Sequence, residues 1–349
     1  MSFDPNAPAQ PGSGVFGLPF TEAEALVVLL PVPWEATTSY GGGASDGPEA
    51  ILEASKQVDL YDLDVEKPYE AGIHMLAEPE AIVAANAKAK ALAARVIEAG
   101  GAGGDAELER AVAEVNRMSR EVDAWVEGET KRLLAAGKVV GVVGGDHAVP
   151  LGAFRAIAAK HPGVGILHLD AHSDTRKAYE GFEGSHASIM YNALETVPGI
   201  GKLVQVGIRD VCEEEVLYCR AKGARVRMVT DREVAMRKQE GESFAAIARA
   251  IAKELPSEVW ISFDIDGLDP RFCPSTGTPV PGGLDVQEVA TLFREVVRAG
   301  KTIVGFDLNE VAPNPSDPED EWDGNVGARM LYKLVGFTLA SQGKAKLLP

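Results

Sequence analysis

Three short stretches carry side chains of metal-ligand type at close spacing: Val143-Gly144-Gly145-Asp146-His147, Asp170-Ala171-His172-Ser173-Asp174 and Ser262-Phe263-Asp264-Ile265-Asp266. In the second, positions i, i+2 and i+4 of an extended segment point to one face, so two carboxylates and an imidazole reach the same point. The rival reading, a polar loop in which Asp174 caps the next helix, leaves Asp170 and His172 without a purpose. The third stretch sets Asp264 and Asp266 two residues apart with no Lys or Arg in the pentapeptide. Like charges so close call for a shared cation. The first stretch is the weakest by itself, because its glycines let the chain turn and deliver an imidazole, but the same residues also make an ordinary turn and helix cap. Taken together, His147, Asp170, His172, Asp174, Asp264 and Asp266 form a nitrogen and oxygen donor set without thiolate, whose four carboxylates balance two divalent ions. Such a set suits Mn²⁺ best and tolerates Fe²⁺, Co²⁺, Ni²⁺ or Zn²⁺. Two ions held roughly 3.5–4 Å apart generate hydroxide at neutral pH. The chemistry that follows is hydrolysis, with an acid protonating the leaving group.

Each of these stretches follows an apolar run, and the runs recur regularly: Ala25–Val32, Lys138–Val143, Val164–Leu169, Lys202–Val206, Arg225–Val229, Val259–Phe263 and Thr302–Leu308. Short, largely apolar strands alternating with helix-like sequence predict a parallel sheet covered on both faces. In such sheets the ligand crevice lies at the carboxyl ends of the strands, where polar residues converge. From Glu78 to Ala135 the chain is rich in Ala, Glu, Lys and Arg at helical spacing, broken at Gly100–Gly104, which predicts two long helices. Residues 1–20, with four prolines and three glycines, read as a flexible arm, or one that packs late, ahead of one catalytic domain over 21–349. The glycines between Ser39 and Pro48 lack the GK[ST] ending of a phosphate loop.

Composition narrows the partners. Hydrophobic residues are 46% and charged residues 25%, enough apolar material for a core and too much for disorder. Lys+Arg 34 against Asp+Glu 52 leaves −18, a charge that repels nucleic acid and anionic membranes and admits cationic ligands, although solubility alone accounts for it as well. No signal-peptide pattern or membrane-length apolar run is found. Cys212, Cys219 and Cys273 are odd in number and lack CxxC spacing, as expected of a reducing compartment, the cytoplasm.

The three motifs, in this order, resemble the arginase/agmatinase (ureohydrolase) family over about Lys138 to Gly343, with weaker likeness at Gly41–Ser55. The resemblance implies a three-layer α/β/α sandwich around a mainly parallel sheet of about eight strands, assembly into trimers or hexamers, and a dimanganese centre that hydrolyses guanidino groups to urea and an amine. Carried over residue by residue, it makes His147 and Asp174 ligands of one ion, His172 and Asp266 of the other, and Asp170 and Asp264 bridging, with Asp174 also accepting a hydrogen bond from the hydroxide. Glu310, in Asp307-Leu308-Asn309-Glu310, resembles the carboxylate that pairs with the substrate guanidinium, and a planar cation is well oriented by such a fork. His186, in Gly184-Ser185-His186-Ala187-Ser188, resembles the proton-shuttle histidine. His168 reads as a hydrogen-bonded core residue, His74 and His161 as surface positions, and Asp146 as a brace or cap. The loop Ser275–Leu284 resembles one lining the family's active-site rim.

Substrate choice is less legible. The asparagine and serine pattern by which arginases hold an α-amino acid is missing between Asp174 and His186. Agmatine-type substrates need no basic partner, whereas guanidinobutyrate or formimidoylglutamate could pair with Arg176 or Lys177, either of which could equally form a structural salt bridge. Tyr179, Phe182 or Trp34 would close the pocket around a small guanidinium, even free guanidine. A rival of another class is a silent metal-binding homologue acting as a sensor or assembly subunit.

Overall fold

In the computed structural model, which describes residues 3–10 and 12–349, the chain opens with strand β1 (Val27–Val32), followed by helix α1 (Gly47–Ser55) and the short strands β2 (Val65–Glu66) and β3 (Ile73–Met75). Two long helices come next, α2 (Glu80–Glu98) and α3 (Ala106–Ala135). The strand–helix alternation then runs β4 (Val139–Gly144), α4 (Leu151–Lys160), β5 (Val164–Leu169), α5 (Ile189–Thr196), β6 (Ile200–Ile208), α6 (Glu213–Ala221) and β7 (Val226–Thr230). It closes with α7 (Asp231–Gln239), α8 (Phe244–Glu254), β8 (Glu258–Asp264), α9 (Val286–Arg298), β9 (Thr302–Asn309), α10 (Trp322–Ser341) and β10 (Lys346–Leu347).

Eight strands form one sheet in the order β3-β1-β4-β9-β8-β5-β6-β7, all parallel, and β10 pairs antiparallel with β2 apart from it. Alternation along the strands feeds two cores. Val27 and Leu29 of β1 and Val139 and Val143 of β4 pack with α1 and α8–α10, while Val28, Leu30, Val140 and Val142 pack with α2–α5. Strands buried on both faces read as continuous apolar runs for this reason, and the result is the expected three-layer α/β/α sandwich.

The two helices expected over 78–135 form on either side of the glycine break. Gly100 ends α2 at φ +71°, and the Asp105 carboxylate caps α3 by accepting the N–H groups of Glu107 and Leu108 at 2.7 and 3.1 Å. Strand β3 was not expected, because three residues carry too little pattern to be recognised. Part of the stretch read as a flexible arm is packed. Val15, Phe16 and Leu18 are buried, the Phe16 N–H donates to Ser55 Oγ at 2.8 Å, and its ring lies 4.9 Å from that of Tyr332. Apolar side chains there gain more from burial than the chain loses in freedom. Positions 1, 2 and 11 of that arm lie outside the described residues.

Among the described residues, no helix is long and apolar enough to cross a membrane.

Candidate metal and substrate site

Strands β4, β9, β8 and β5 are neighbours in the sheet, and each releases one part of the site at its carboxyl end. After β4 the chain turns through Gly145, whose N–H donates to the Val32 carbonyl at 3.0 Å and whose carbonyl accepts from the Glu310 N–H at 2.9 Å. A Cβ at Gly145 would lie 1.9 Å from the Trp34 carbonyl oxygen, so only glycine passes there. The turn presents His147, fully buried, with Nδ1 at 3.0 Å from Asp170 Oδ2, 3.3 Å from Asp264 Oδ2 and 3.4 Å from Asp174 Oδ2. On the far side of the ring, Nε2 meets Ser262 Oγ at 2.8 Å, and that hydroxyl donates to Asp307 Oδ1 at 2.9 Å. Ser262 therefore accepts from the ring, which fixes a proton on Nε2 and leaves Nδ1 facing the three carboxylates.

A second cluster adjoins the first through Asp170. His172 Nδ1 lies 3.0 Å from Asp266 Oδ2 and 3.4 Å from Asp170 Oδ1. The Ala171 N–H donates to Asp266 Oδ1 at 2.9 Å and the Asp266 N–H to Asp264 Oδ1 at 2.8 Å, so the β5 and β8 ends orient one another. Two groups of ligand atoms, His147 with His168, Asp170 and Asp174, and Asp170 with His172 and Asp266, each lie within 4.8 Å of one another. The structure thus brings all six expected ligand side chains to one edge of the sheet. It differs in how Asp174 arrives. The segment is not extended to its end, because Asp174 turns at φ +54° and swings its carboxylate back to His147.

The electrostatics of this cluster suit a cation. Burial would depress the His147 imidazole, but its bonds to Asp170, Asp174 and Asp264 outweigh that and hold it well above its usual range. His172, opposed likewise by burial, is raised to about 12 by Asp170 and Asp266. Burial pushes Asp174 up to about 8, with the Asp170 charge adding, and Asp264 rises well above the carboxylate range for the same reasons together with Asp266. Asp170 moves the other way, because the imidazoles of His168, His147 and His172 outweigh its burial. Protons are retained where cations are wanted, and divalent ions would displace them. The residues therefore fit a pair of hard or borderline metal ions.

Glu310, after β9 and at φ +62°, is buried beside the first cluster, and Thr276 Oγ1 bonds its carbonyl at 2.8 Å. Its Oε1 accepts the His147 N–H at 2.8 Å, and Oε2 has no hydrogen-bond partner among the described residues. Burial, with the charges of Asp264 and Asp146, raises this carboxyl well above its usual range. A cavity of ≈ 180 Å³ opens over the second cluster, lined by His172, Asp174 and His186 together with Ser39, Tyr179 and Thr278. Asp210, Arg176 and Glu215 line it as well, and Glu215 is buried, accepting the N–H groups of Thr175 at 3.0 Å and Cys212 at 3.1 Å. His186 begins a short turn, its Nδ1 is buried without a partner among the described residues, and burial, then the neighbouring His172, lower it to about 4.

Other expectations are corrected or refined. Phe182 and Trp34 do not line the cavity; both lie fully buried in the core under α2–α5, because their apolar surface is better removed from water there. Arg176 is 3.7 Å from Glu215 and stacks 5.2 Å from the centre of the Tyr179 ring, and Lys177 is exposed. His74 and His161 are half-buried, bonded to the Phe20 carbonyl and to Glu258. Asp146 is fully buried, accepts the Ala148 N–H at 3.0 Å, and is raised to about 8 by that burial. The Ser275–Leu284 loop reaches the cavity through Thr278. Sequence reasoning missed the bracing residues Ser262, Asp307 and Gln205, and also Arg209, which clamps the carbonyls of Gly207, Asp266, Leu268 and Val280. The signal available was spacing: Ser262 stands two residues before Asp264, and Asp307 three before Glu310.

Comparison with known proteins follows the same lines. The model of the Arginase family matches residues 25–336. An N(1)-aminopropylagmatine ureohydrolase of Synechocystis sp. is 35% identical over 92% of this chain and 92% of its own length. One of Thermus thermophilus is 37% identical over 90% of each. The solved structure of proclavaminate amidinohydrolase from Streptomyces clavuligerus superposes with a TM-score of 0.72 at 25% identity, covering 96% of this chain and 100% of that one.

Proposed function

This chain belongs to the arginase family, and we propose that it is an agmatinase-like ureohydrolase, cleaving a guanidino C–N bond of a substrate with a cationic tail to release urea and an amine. The observation that carries this reading is the convergence of Asp170, Asp174 and Asp264 on one His147 nitrogen, next to His172 and Asp266. In this reading His147, Asp170, His172, Asp174, Asp264 and Asp266 hold two divalent ions, Mn²⁺ before Ni²⁺, Fe²⁺, Co²⁺ or Zn²⁺, because the donors are nitrogen and oxygen without sulfur. Bound there, such ions supply a water acidic enough to attack at neutral pH.

The chain's own groups do the rest. Glu310 Oε2 takes an N–H of the planar guanidinium, while Oε1 stays on the His147 backbone, so the central carbon is turned toward the cluster. Asp174 accepts a hydrogen bond from the attacking water and orients it. His186, neutral at pH 7 in the cavity wall, takes up the proton that the attacking water loses and passes it to the departing amine.

The tail of the substrate meets Asp210, an exposed carboxylate that lines the cavity. Arg176 faces Glu215 at 3.7 Å and the Tyr179 ring but keeps its outer nitrogens in the cavity, so the preference for agmatine or N(1)-aminopropylagmatine over guanidinobutyrate and formimidoylglutamate rests on the similar ureohydrolases, which are named for N(1)-aminopropylagmatine. The cavity is also far roomier than free guanidine requires. One catalytic domain over 21–349, a cytoplasmic location and a trimer or hexamer belong to the same reading.

The test is a panel of agmatine, N(1)-aminopropylagmatine, arginine, guanidinobutyrate, guanidinopropionate, guanidine and formimidoylglutamate with Mn²⁺- or Ni²⁺-loaded protein, followed by urea or formamide release. The highest kcat/KM is expected with the cationic tails. Preference for a carboxylate tail would overturn the specificity argument, and no product from any compound would favour a silent metal-binding homologue.

A further inference from the structure

His168 lies close enough to His147, Asp170 and Asp174 to be counted among the ligands of the first cluster. Its hydrogen bonds argue otherwise. His168 on β5 and Gln205 on β6 are ladder partners, both fully buried. Gln205 Nε2 lies 2.7 Å from the Ser173 carbonyl oxygen. A carbonyl only accepts, so that contact fixes which end of the amide is nitrogen; the reversed amide would press two oxygens together. Gln205 Oε1 is then free to accept from Ser173 Oγ at 3.2 Å. The second hydrogen of the amide nitrogen points to His168 Nδ1 at 3.1 Å. Nδ1 must therefore carry its lone pair inward to Gln205, and the ring proton sits on Nε2, facing Asp170 Oδ2 at 2.8 Å.

We propose that His168 is a positioning residue, not a metal ligand: Gln205 locks it as the Nε2–H tautomer, and that N–H holds Asp170 in the orientation that serves both clusters. The inference rests on the reading of Asp170 as a ligand shared by two ions. His168 Nδ1 is taken by Gln205, and a metal at Nε2 would have to break the hydrogen bond by which that nitrogen holds Asp170 Oδ2. A donor on Asp170 Oδ2 leaves that oxygen its remaining lone pair and restricts rotation of the carboxylate.

The experiment is ¹⁵N-histidine labelling of the full chain, recorded metal-free and after loading with Zn²⁺ alone, with the His168 signals assigned by their loss in His168→Gln. A proton on Nε2 and a bare Nδ1 are expected in both states. A proton on Nδ1, or loss of the Nε2 proton on loading, would overturn the proposal. In parallel, free Mn²⁺ is counted by electron paramagnetic resonance. His168→Leu should weaken Mn²⁺ binding about 10–100-fold, and His168→Gln, whose amide N–H falls near the place of Nε2, should restore most of it. Unchanged Mn²⁺ affinity in His168→Leu would refute the role. If that variant does not fold, Gln205→Leu keeps the ring but frees Nδ1; mixed tautomers with weaker Mn²⁺ binding are expected, and a single Nε2–H tautomer with parental affinity would refute the lock. Failure of the ureohydrolase reading would show separately, as a parent chain that binds no Mn²⁺ or releases no urea, because the tautomer is read in the metal-free protein.

Discussion

Replacing Asp174 by asparagine should stabilise the metal-free protein and weaken its response to metal. Asp174 turns at φ +54°, a region that asparagine enters as readily as aspartate, so D174N adds no backbone strain. Burial and then the Asp170 charge raise the carboxyl from 3.8 to about 8, a value already net of the opposing attraction of His147. Between those limits the folded chain holds a proton that the unfolded chain has released, so the metal-free parent loses stability as pH rises through this window. At pH 7 the gap is roughly three pH units, which at 1.36 kcal/mol per unit amounts to about 4 kcal/mol. With about 2.1 cal/mol/K of unfolding entropy per residue, a chain of this length should gain about 5 °C in Tm. Asparagine is neutral throughout, so the gain should shrink toward zero near pH 4. Calorimetry of EDTA-stripped parent and D174N at pH 4, 5.5 and 7 measures it, and repetition with saturating Mn²⁺ gives the metal response. Binding at a hundredfold excess over Kd adds about 2.7 kcal/mol to the parent, and D174N should gain far less. A metal-free D174N that melts at or below the parent at pH 7 would refute the buried-charge argument, and an equal Mn²⁺ gain would refute Asp174 as a ligand.

Other perturbations separate the remaining roles. E310Q should lower kcat/KM by about 10²–10³, the loss expected on truncating one side of a buried charge pair, with metal content unchanged because Glu310 belongs to neither ligand cluster; undiminished kcat/KM would remove it from guanidinium binding. H186A should reduce kcat by about 10²-fold at unchanged Mn²⁺ affinity if it moves the proton, and steady-state kinetics with parental kcat would end that assignment. S262A leaves His147 Nε2 without its acceptor and should weaken Mn²⁺ binding about 10–100-fold by calorimetric titration; tight binding would show that the ring needs no brace.

Much of the architecture was legible along the chain. Strands buried on both faces must be nearly continuous Val, Ile and Leu, so seven of the eight strands of the main sheet stand out as runs, and only β3, with three residues, escaped. The ligand clusters were legible because a short segment must supply several donors to one point, and that demand leaves Asp170, His172 and Asp174, or Asp264 and Asp266, close in sequence. His186 and Glu310 stand alone in their segments and were found only through likeness to a family. Trp34 and Phe182 were misplaced because an aromatic residue in a loop carries no local mark of whether it faces a cavity or a core.

The donor types, their spacing and the strand-terminal positions were thus set by local sequence. Tertiary structure alone decided that β4, β9, β8 and β5 lie side by side, that Asp174 swings back through a left-handed turn, and that Gln205, Ser262 and Asp307 stand behind the histidines. Strand order and register are settled by which faces bury one another across dozens of residues, and the hydrogen bonds that orient an imidazole come from neighbouring strands whose pairing no local pattern encodes.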